Sequence, residues 1–232
     1  MHTTTSISLR IAAAAGAAMA LQVPAAHAQD NALRLGLYDV FYHVKASDVS
    51  GPFVPAGVNL DVKNLTTTYF AYTRDFGTAL QLEIAAGWPP KAETVGKGPA
   101  TLGSVPYDGQ VVATSKWFSP TVLLNYRFLD AASAVRPYVG IGVNYTHFFA
   151  RNATAAGQAA FGGPTSISLS DSIGPAATLG LTWRVQGPWT INASYSMSKV
   201  KSNLSADTAG IVRTTSINFN PSVLVVSGGY SF

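Results

Sequence analysis

The chain has no cysteine among its 232 residues. Disulfide scaffolds, thiolate metal sites and cysteine nucleophiles are therefore excluded. Charge is also scarce. Only 11% of residues are Asp, Glu, Lys or Arg, against roughly 25% in an average soluble domain. A globule surrounded by water needs a charged coat, and a disordered chain combines low hydrophobicity with high net charge. With 47% apolar residues and a net charge of +4, this sequence fits neither class. Its basic residues are spread along the chain without a block that would mark a nucleic-acid surface, so no nucleic-acid partner is expected. Beyond the N-terminus there is no uninterrupted apolar run of the ~20 residues that a membrane-spanning helix needs. The uncharged C-terminal stretch is broken by Thr214, Ser216, Asn218, Asn220 and Ser222.

The first 28 residues read as a targeting segment. Arg10 precedes an apolar stretch from Ile11 to Val23, which ends at the small-x-small pattern Ala26-His27-Ala28. That is the pattern of a secretory signal peptide cleaved before Gln29. Residues 29–232 are then expected to form one domain, exported into the envelope of a Gram-negative bacterium.

The dominant feature of that domain is alternation. Trp189, Ile191, Ala193, Tyr195 and Met197 alternate with Thr190, Asn192, Ser194, Ser196 and Ser198. Val139, Ile141, Val143 and Tyr145 alternate with Gly140, Gly142, Asn144 and Thr146. Leu179, Leu181, Trp183 and Val185 oppose Thr178, Gly180, Thr182 and Arg184. Successive side chains of a strand point to opposite faces, so each segment has one apolar and one polar face. The polar face carries Gly, Ser, Thr and Asn rather than Lys and Glu. Small polar residues suit a narrow barrel lumen, and flanking aromatics suit the membrane interfaces. The fold class expected is all-β, an eight-stranded antiparallel transmembrane β-barrel of the outer membrane.

The strands are expected near 33–44, 62–75, 78–89, 114–128, 136–149, 170–186, 188–202 and 219–232. Adjacent Tyr69 and Phe70 leave the outward face of the second strand open. Turns at Asp75-Phe76-Gly77, Leu129 to Val135 and Gln186-Gly187-Pro188 are short, whereas the stretches 45–61, 90–113, 150–169 and 203–218 read as long loops. Short periplasmic turns and long extracellular loops are the sidedness of such barrels. Eight strands enclose room for side chains or one small ligand, which disfavours a wide aqueous pore. On the last strand Leu224, Val226, Gly228, Tyr230 and the terminal Phe232 share a face. Tyr230 and Phe232 resemble the signal read by the bacterial barrel-assembly machinery, an expected partner during biogenesis.

Five pieces carry a resemblance to a known family. They are Pro120-Thr121-Val122-Leu123-Leu124-Asn125-Tyr126-Arg127-Phe128, Arg136-Pro137-Tyr138-Val139-Gly140-Ile141-Gly142-Val143-Asn144-Tyr145-Thr146, and Leu169-Ser170-Asp171-Ser172 with the closing Asn220-Pro221 and Gly228-Gly229-Tyr230-Ser231-Phe232. The chain resembles the outer membrane protein W family, which includes alkane-uptake outer-membrane proteins. The resemblance implies a narrow hydrophobic channel that admits small hydrophobic molecules past the lipopolysaccharide and releases them sideways into the bilayer. Outer-membrane lipid, lipopolysaccharide and small hydrophobic solutes are the implied partners, and a monomer is expected. A structural or receptor-type surface barrel, contacting phage, bacteriocin or host, is the alternative.

Apolar residues near the loop ends are the candidate channel lining or entrance: Phe148, Trp117, Phe118, Phe161, Ile167 and Leu169. Each could equally be interface belt or packing, and Trp88 falls on the lipid face. Glu83, Arg127 and Arg184 fall on the lumen side, with Arg74 possible, and a Glu83–arginine pair is expected to plug the periplasmic half. Pro120 and Pro175 lie inside strand patterns and lack the ladder donor. They are the candidates for a lateral exit, with a bulge as the plainer alternative. No catalytic constellation, metal cluster or cofactor motif appears, and none is expected.

Overall fold

The alternating segments do form strands. In the computed structural model, which describes residues 30–232, eight strands close into a ring. They are β1 (Asn31–Phe41), β2 (Leu65–Phe76), β3 (Leu80–Gly87), β4 (Thr121–Arg127), β5 (Val135–Ala153), β6 (Ser172–Gln186), β7 (Trp189–Ser198) and β8 (Ser222–Ser231). Each pairs antiparallel with the next, and β8 pairs with β1. Closure satisfies the backbone of a sheet that no water can reach. The expected signal peptide, residues 1–28, lies outside the described residues.

The outward face is apolar. Leu35, Leu37, Ile141, Ile173 and Leu179 are exposed along the wall. Phe76, Phe128, Trp183, Trp189 and Tyr230 ring the end with short turns, and Phe41, Trp88, Phe118 and Tyr145 ring the other. Inside are Thr73, Asn125, Asn144, Thr178, Asn192 and Ser227. On β2, Tyr69 is buried inside and Phe70 faces out, which settles the strand's facing. The short turns use left-handed glycines, Gly77 at φ 68° and Gly187 at φ 55°.

At the opposite end the structure corrects the expected loops. The strands break and then continue as hairpins beyond the membrane. Asn59–Val62, Lys91–Lys97, Val111–Phe118 and the upper part of β5 form one sheet. Ser166–Leu169, Lys201–Thr208, Ile211–Asn218 and Lys45–Ala46 form a second sheet. The stretch 203–218 is thus most of a hairpin, turned at Ala209-Gly210 with φ 51° and 87°. Its inward residues Ser202, Leu204, Ala206 and Thr208 alternate, but mixed small and apolar types hide the period. The stretch 150–169 holds a short helix, Ala155–Phe161, whose Thr154 side chain caps it by accepting from the Gly157 amide. Prolines explain several breaks. Pro89, Pro90, Pro120 and Pro221 cluster at one height, where each removes a donor.

The narrow bore sets strict limits at inward glycines. A Cβ at Gly142 would run into the carbonyl of Val122 on β4, whereas at Gly228, on the lipid face, it would meet nothing. Gly142→Ala is expected to lower unfolding stability by about 1–3 kcal/mol through overpacking against backbone, and Gly228→Ala to leave it unchanged. Denaturant unfolding of the purified barrel, read by the gel mobility of folded and unfolded forms, compares the two.

Candidate functional site

The two outer sheets face one another and bury an apolar cluster between them. Leu60, Val62, Val112, Trp117 and Phe148 come from one sheet. Ile167, Leu204, Ala206 and Ile217 come from the other, with Phe219 just beyond it. Of the candidate lining residues, Phe148, Trp117 and Leu169 border a cavity of about 40 Å³ inside this cluster. Ile167 is buried nearby, and Phe161 packs against the cluster from the end of the helix. The Arg213 guanidinium stands 5.5 Å from the Phe161 ring centre. Phe118 is the exception. It faces outward because its neighbour Trp117 takes the inward position and alternation allows only one.

An aromatic file descends from this cluster into the barrel. Phe148 stacks on Phe219 with ring centres 5.4 Å apart. Trp117 meets Tyr38 edge-on at 6.3 Å, and Tyr38 lies 6.3 Å from Tyr69. Tyr38 fits because Gly87 has no Cβ to strike its ring. Below Tyr38 a second cavity of about 50 Å³ is bordered by Tyr69, Glu83 and Asn144. Cavities of this size hold only a few waters, so a drug-sized or larger guest requires side chains to move. Tyr38, Tyr42, Leu204, Ile217 and Phe219 were not among the expected lining residues. Leu204 and Ile217 lie in strands expected to be loops, whereas Tyr38, Tyr42 and Phe219 take inward positions of the expected first and last strands.

The file ends on buried charge. Arg34 of β1 donates from Nη1 to Glu83 Oε2 at 3.0 Å and from Nη2 to Gln81 Oε1 at 3.2 Å. Glu83 also accepts from Tyr69 Oη at 2.8 Å and Asn125 Nδ2 at 2.9 Å. One level down, Arg127 donates to Asp75 at 2.6 Å, and Gln81 Nε2 donates to the other Asp75 oxygen at 2.8 Å. The arginine beside Glu83 is therefore Arg34, not Arg127 or Arg184. Between them on β2 stands Ala71, opposite both Arg34 on β1 and Ala85 on β3, and small enough to let the guanidinium reach across. Arg184 does not join the network. It sits exposed at the periplasmic rim, donating to the Ala131 carbonyl at 2.6 Å, where a register shift disturbs the end of β6. Arg74 lies over the ring of Phe76 at 5.8 Å, also at that rim.

The two prolines differ. β3 and β4 pair up to Ala85 opposite Thr121, and their extensions resume at Lys91 opposite Lys116. Between these points, around Pro89, Pro90 and Pro120, the ladder lapses. Pro120 keeps its other side bonded, since its carbonyl accepts from Tyr145 N at 3.0 Å. Pro175 lies in no such lapse. It stays in register with Val143 and accepts from Lys199 N at 3.1 Å, so the wall is continuous there. His43 is bonded to Ser222 at 2.9 Å and His147 to Asp171 at 2.9 Å, at separate places on the wall.

Breaking a buried pair by removing one partner costs more than the pair contributes, because a bare charge is left in low dielectric. Glu83→Ala is expected to cost about 3–5 kcal/mol of unfolding stability. Arg34→Met combined with Glu83→Leu is expected to cost less than the two single changes added together. Urea titrations of the parent, the three single variants and the double variant in one detergent measure the difference.

With this geometry in view, comparison with known proteins is informative. The OmpW family model matches residues 30–232. The outer membrane protein W of Vibrio cholerae is 28% identical over 205 residues, covering 88% of each chain. A dibenzothiophene metabolism operon protein of Pseudomonas aeruginosa, PahQ, is 34% identical over 122 residues, covering 50% of this chain and 51% of that one. The crystal structure of the outer membrane protein OprG from Pseudomonas aeruginosa superposes with a TM-score of 0.79 at 25% identity, covering 88% of this chain and 96% of that one. A closed eight-stranded barrel with a lipid-facing apolar wall, matched along its whole described length, makes this chain a member of the OmpW family of the Gram-negative outer membrane.

Proposed function

We propose that the protein passes small apolar molecules inward across the outer membrane and releases them sideways into the bilayer. The observation that carries this reading is the stacking of two environments. An apolar, aromatic-lined site lies outermost, and a charge-paired plug lies directly beneath it. Lipopolysaccharide presents a polar, ion-bridged barrier to an apolar solute. The outer site offers such a solute a stop worth roughly 25 cal/mol for each Å² of surface it removes from water. Below Tyr38 the same solute would have to displace hydrogen bonds around Glu83, which no apolar molecule can replace. The way on is then lateral, and the lapse between β3 and β4 at Pro120 opens beside the lower end of the apolar file. The match to a protein named for a dibenzothiophene metabolism operon supports an apolar, aromatic type of solute among the cargo.

Phe148→Ser is expected to slow uptake of a labelled medium-chain alkane about tenfold, the equivalent of losing one ring's worth of apolar contact. Cells with matched amounts of folded barrel provide the comparison. Equal rates with and without the protein for several apolar solutes would overturn the reading and favour a surface receptor.

The lateral step has its own test. Because the chain has no native cysteine, a bifunctional thiol reagent can bridge Ala86→Cys and Ser119→Cys across the lapse. The bridged protein is expected to bind the solute at its outer site but pass it several-fold more slowly. Unchanged passage would place the exit elsewhere.

A further inference from the structure

Lys91 and Lys116 stand directly opposite one another on neighbouring strands just above the lapse. Both are exposed on the outer face of the wall. Like charges at opposed positions of a sheet destabilise it, so the arrangement calls for an anion. The nearest carboxylate, Glu93, lies close enough to feel the Lys91 charge but is already paired with Lys63. The strands of this outer sheet carry two carboxylates, Asp61 and Glu93. Glu93 accepts from Lys63 Nζ at 2.9 Å, and Asp61 faces Lys97 at 3.8 Å. On the far side Asp171 is taken by His147 at 2.9 Å and by Tyr145 Oη at 2.7 Å. Lys91 and Lys116 are left without an ion pair.

Their height on the wall identifies what they meet. The exposed aromatics Trp88 and Phe118, which belong to the outer membrane girdle, lie two or three residues away along the same strands, towards the membrane. Phe149 stands opposite Lys116 on the next strand. The two ammonium groups therefore sit where apolar wall gives way to headgroups, and an ammonium is a good point-charge partner for phosphate.

We infer that Lys91 and Lys116 together bind a phosphate group of a phosphorylated glycolipid in the outer leaflet, of the lipid A type. The bound phosphate cancels the repulsion and staples the extensions of β3 and β4 at the one place where their ladder has lapsed. This inference does not depend on the uptake reading. A barrel that transports nothing would still carry the site.

The test uses the purified full chain in detergent, with thermal unfolding followed against added bisphosphorylated lipid A, fully dephosphorylated lipid A or inorganic phosphate. The midpoint is expected to rise by several degrees with the bisphosphorylated lipid and not with the dephosphorylated one. Lys91→Gln with Lys116→Gln is expected to need about thirtyfold more lipid for half-saturation, as each lysine near an anionic surface contributes on the order of a factor of five. Lys201→Gln, on the other outer sheet, is expected to respond like the parent protein. If the double variant does not fold, each single variant is expected to show about a fivefold loss in the same assay. An undiminished response in the lysine variants would overturn the inference, as would equal stabilisation by dephosphorylated lipid. Equal stabilisation by inorganic phosphate at the same concentration would also overturn it, in favour of a simple anion site.

Discussion

Closure of the sheet is the constraint on which the rest depends. In hydrocarbon an unbonded backbone group costs several kcal/mol, so a sheet facing lipid cannot keep a free edge. Eight strands closed on one another leave a bore filled by side chains. The bore in turn dictates the inward residues. Gly142 comes so close to the Val122 carbonyl that no side chain fits, and Gly87 leaves the space that Tyr38 fills. Within the barrel wall proline occurs only at Pro137 and Pro175, which keep their register with Leu181 and Val143, and the prolines that mark strand breaks lie elsewhere. Pro89, Pro90, Pro120 and Pro221 all fall at the outer interface, where the strands leave the membrane and water can serve the released groups.

Charge within the bore follows a second rule. Isolated, the Glu83 carboxylate would face a desolvation penalty of several kcal/mol. Three neighbours meet it: Arg34, Tyr69 and Asn125. Arg127 and Asp75 form a second neutral pair one level down. These two pairs are neutral together, and the buried Arg136 guanidinium, donating to the Thr78 and Leu129 carbonyls, adds a positive charge at the periplasmic end. What the barrel gains is a polar, hydrogen-bonded floor beneath an apolar chamber, in which only Asn125 Oδ1 and Arg127 Nε among the floor's named side chains lack a partner. Hydrophobic burial is non-directional and each contact is weak, so the chamber is held together by area rather than by fixed geometry. The floor, by contrast, is held by directional hydrogen bonds.

Legibility in the sequence followed these rules. Where the two faces differ sharply, as along β5, β6 and β7, alternation alone marked strand and facing. Where outer sheet packs on outer sheet, inward residues such as Ser202, Leu204 and Ala206 differ less from their neighbours, and the hairpin looked like a loop. Trp117 and Phe118 could not be separated from sequence because adjacent aromatics satisfy either register. The partner of Glu83 was hidden for a different reason. Arg34 reaches it across an intervening strand, over Ala71, and that reach depends on barrel register rather than on spacing in the chain. Arg184 was misplaced because alternation continues past the point where the barrel stops enclosing anything.

The two outer sheets also explain why the apolar chamber can exist outside the membrane at all. The extensions are no longer held in a single closed ring. Upper β5 and Ser166–Leu169 are joined by side-chain bonds, Arg151 to the Leu169 carbonyl at 3.2 Å and the Phe148 amide to Asp171 at 3.4 Å, rather than by a ladder. On the other side Asn59 reaches across to the Ala46 carbonyl at 3.0 Å. Two sheets joined at such seams can separate by small amounts without breaking a strand pair, whereas the barrel below cannot widen without losing a whole ladder. Extra room can therefore open above Tyr38 but not below it. The step from compliant sandwich to rigid barrel coincides with the step from apolar file to paired charge, so mechanics and electrostatics set the same boundary.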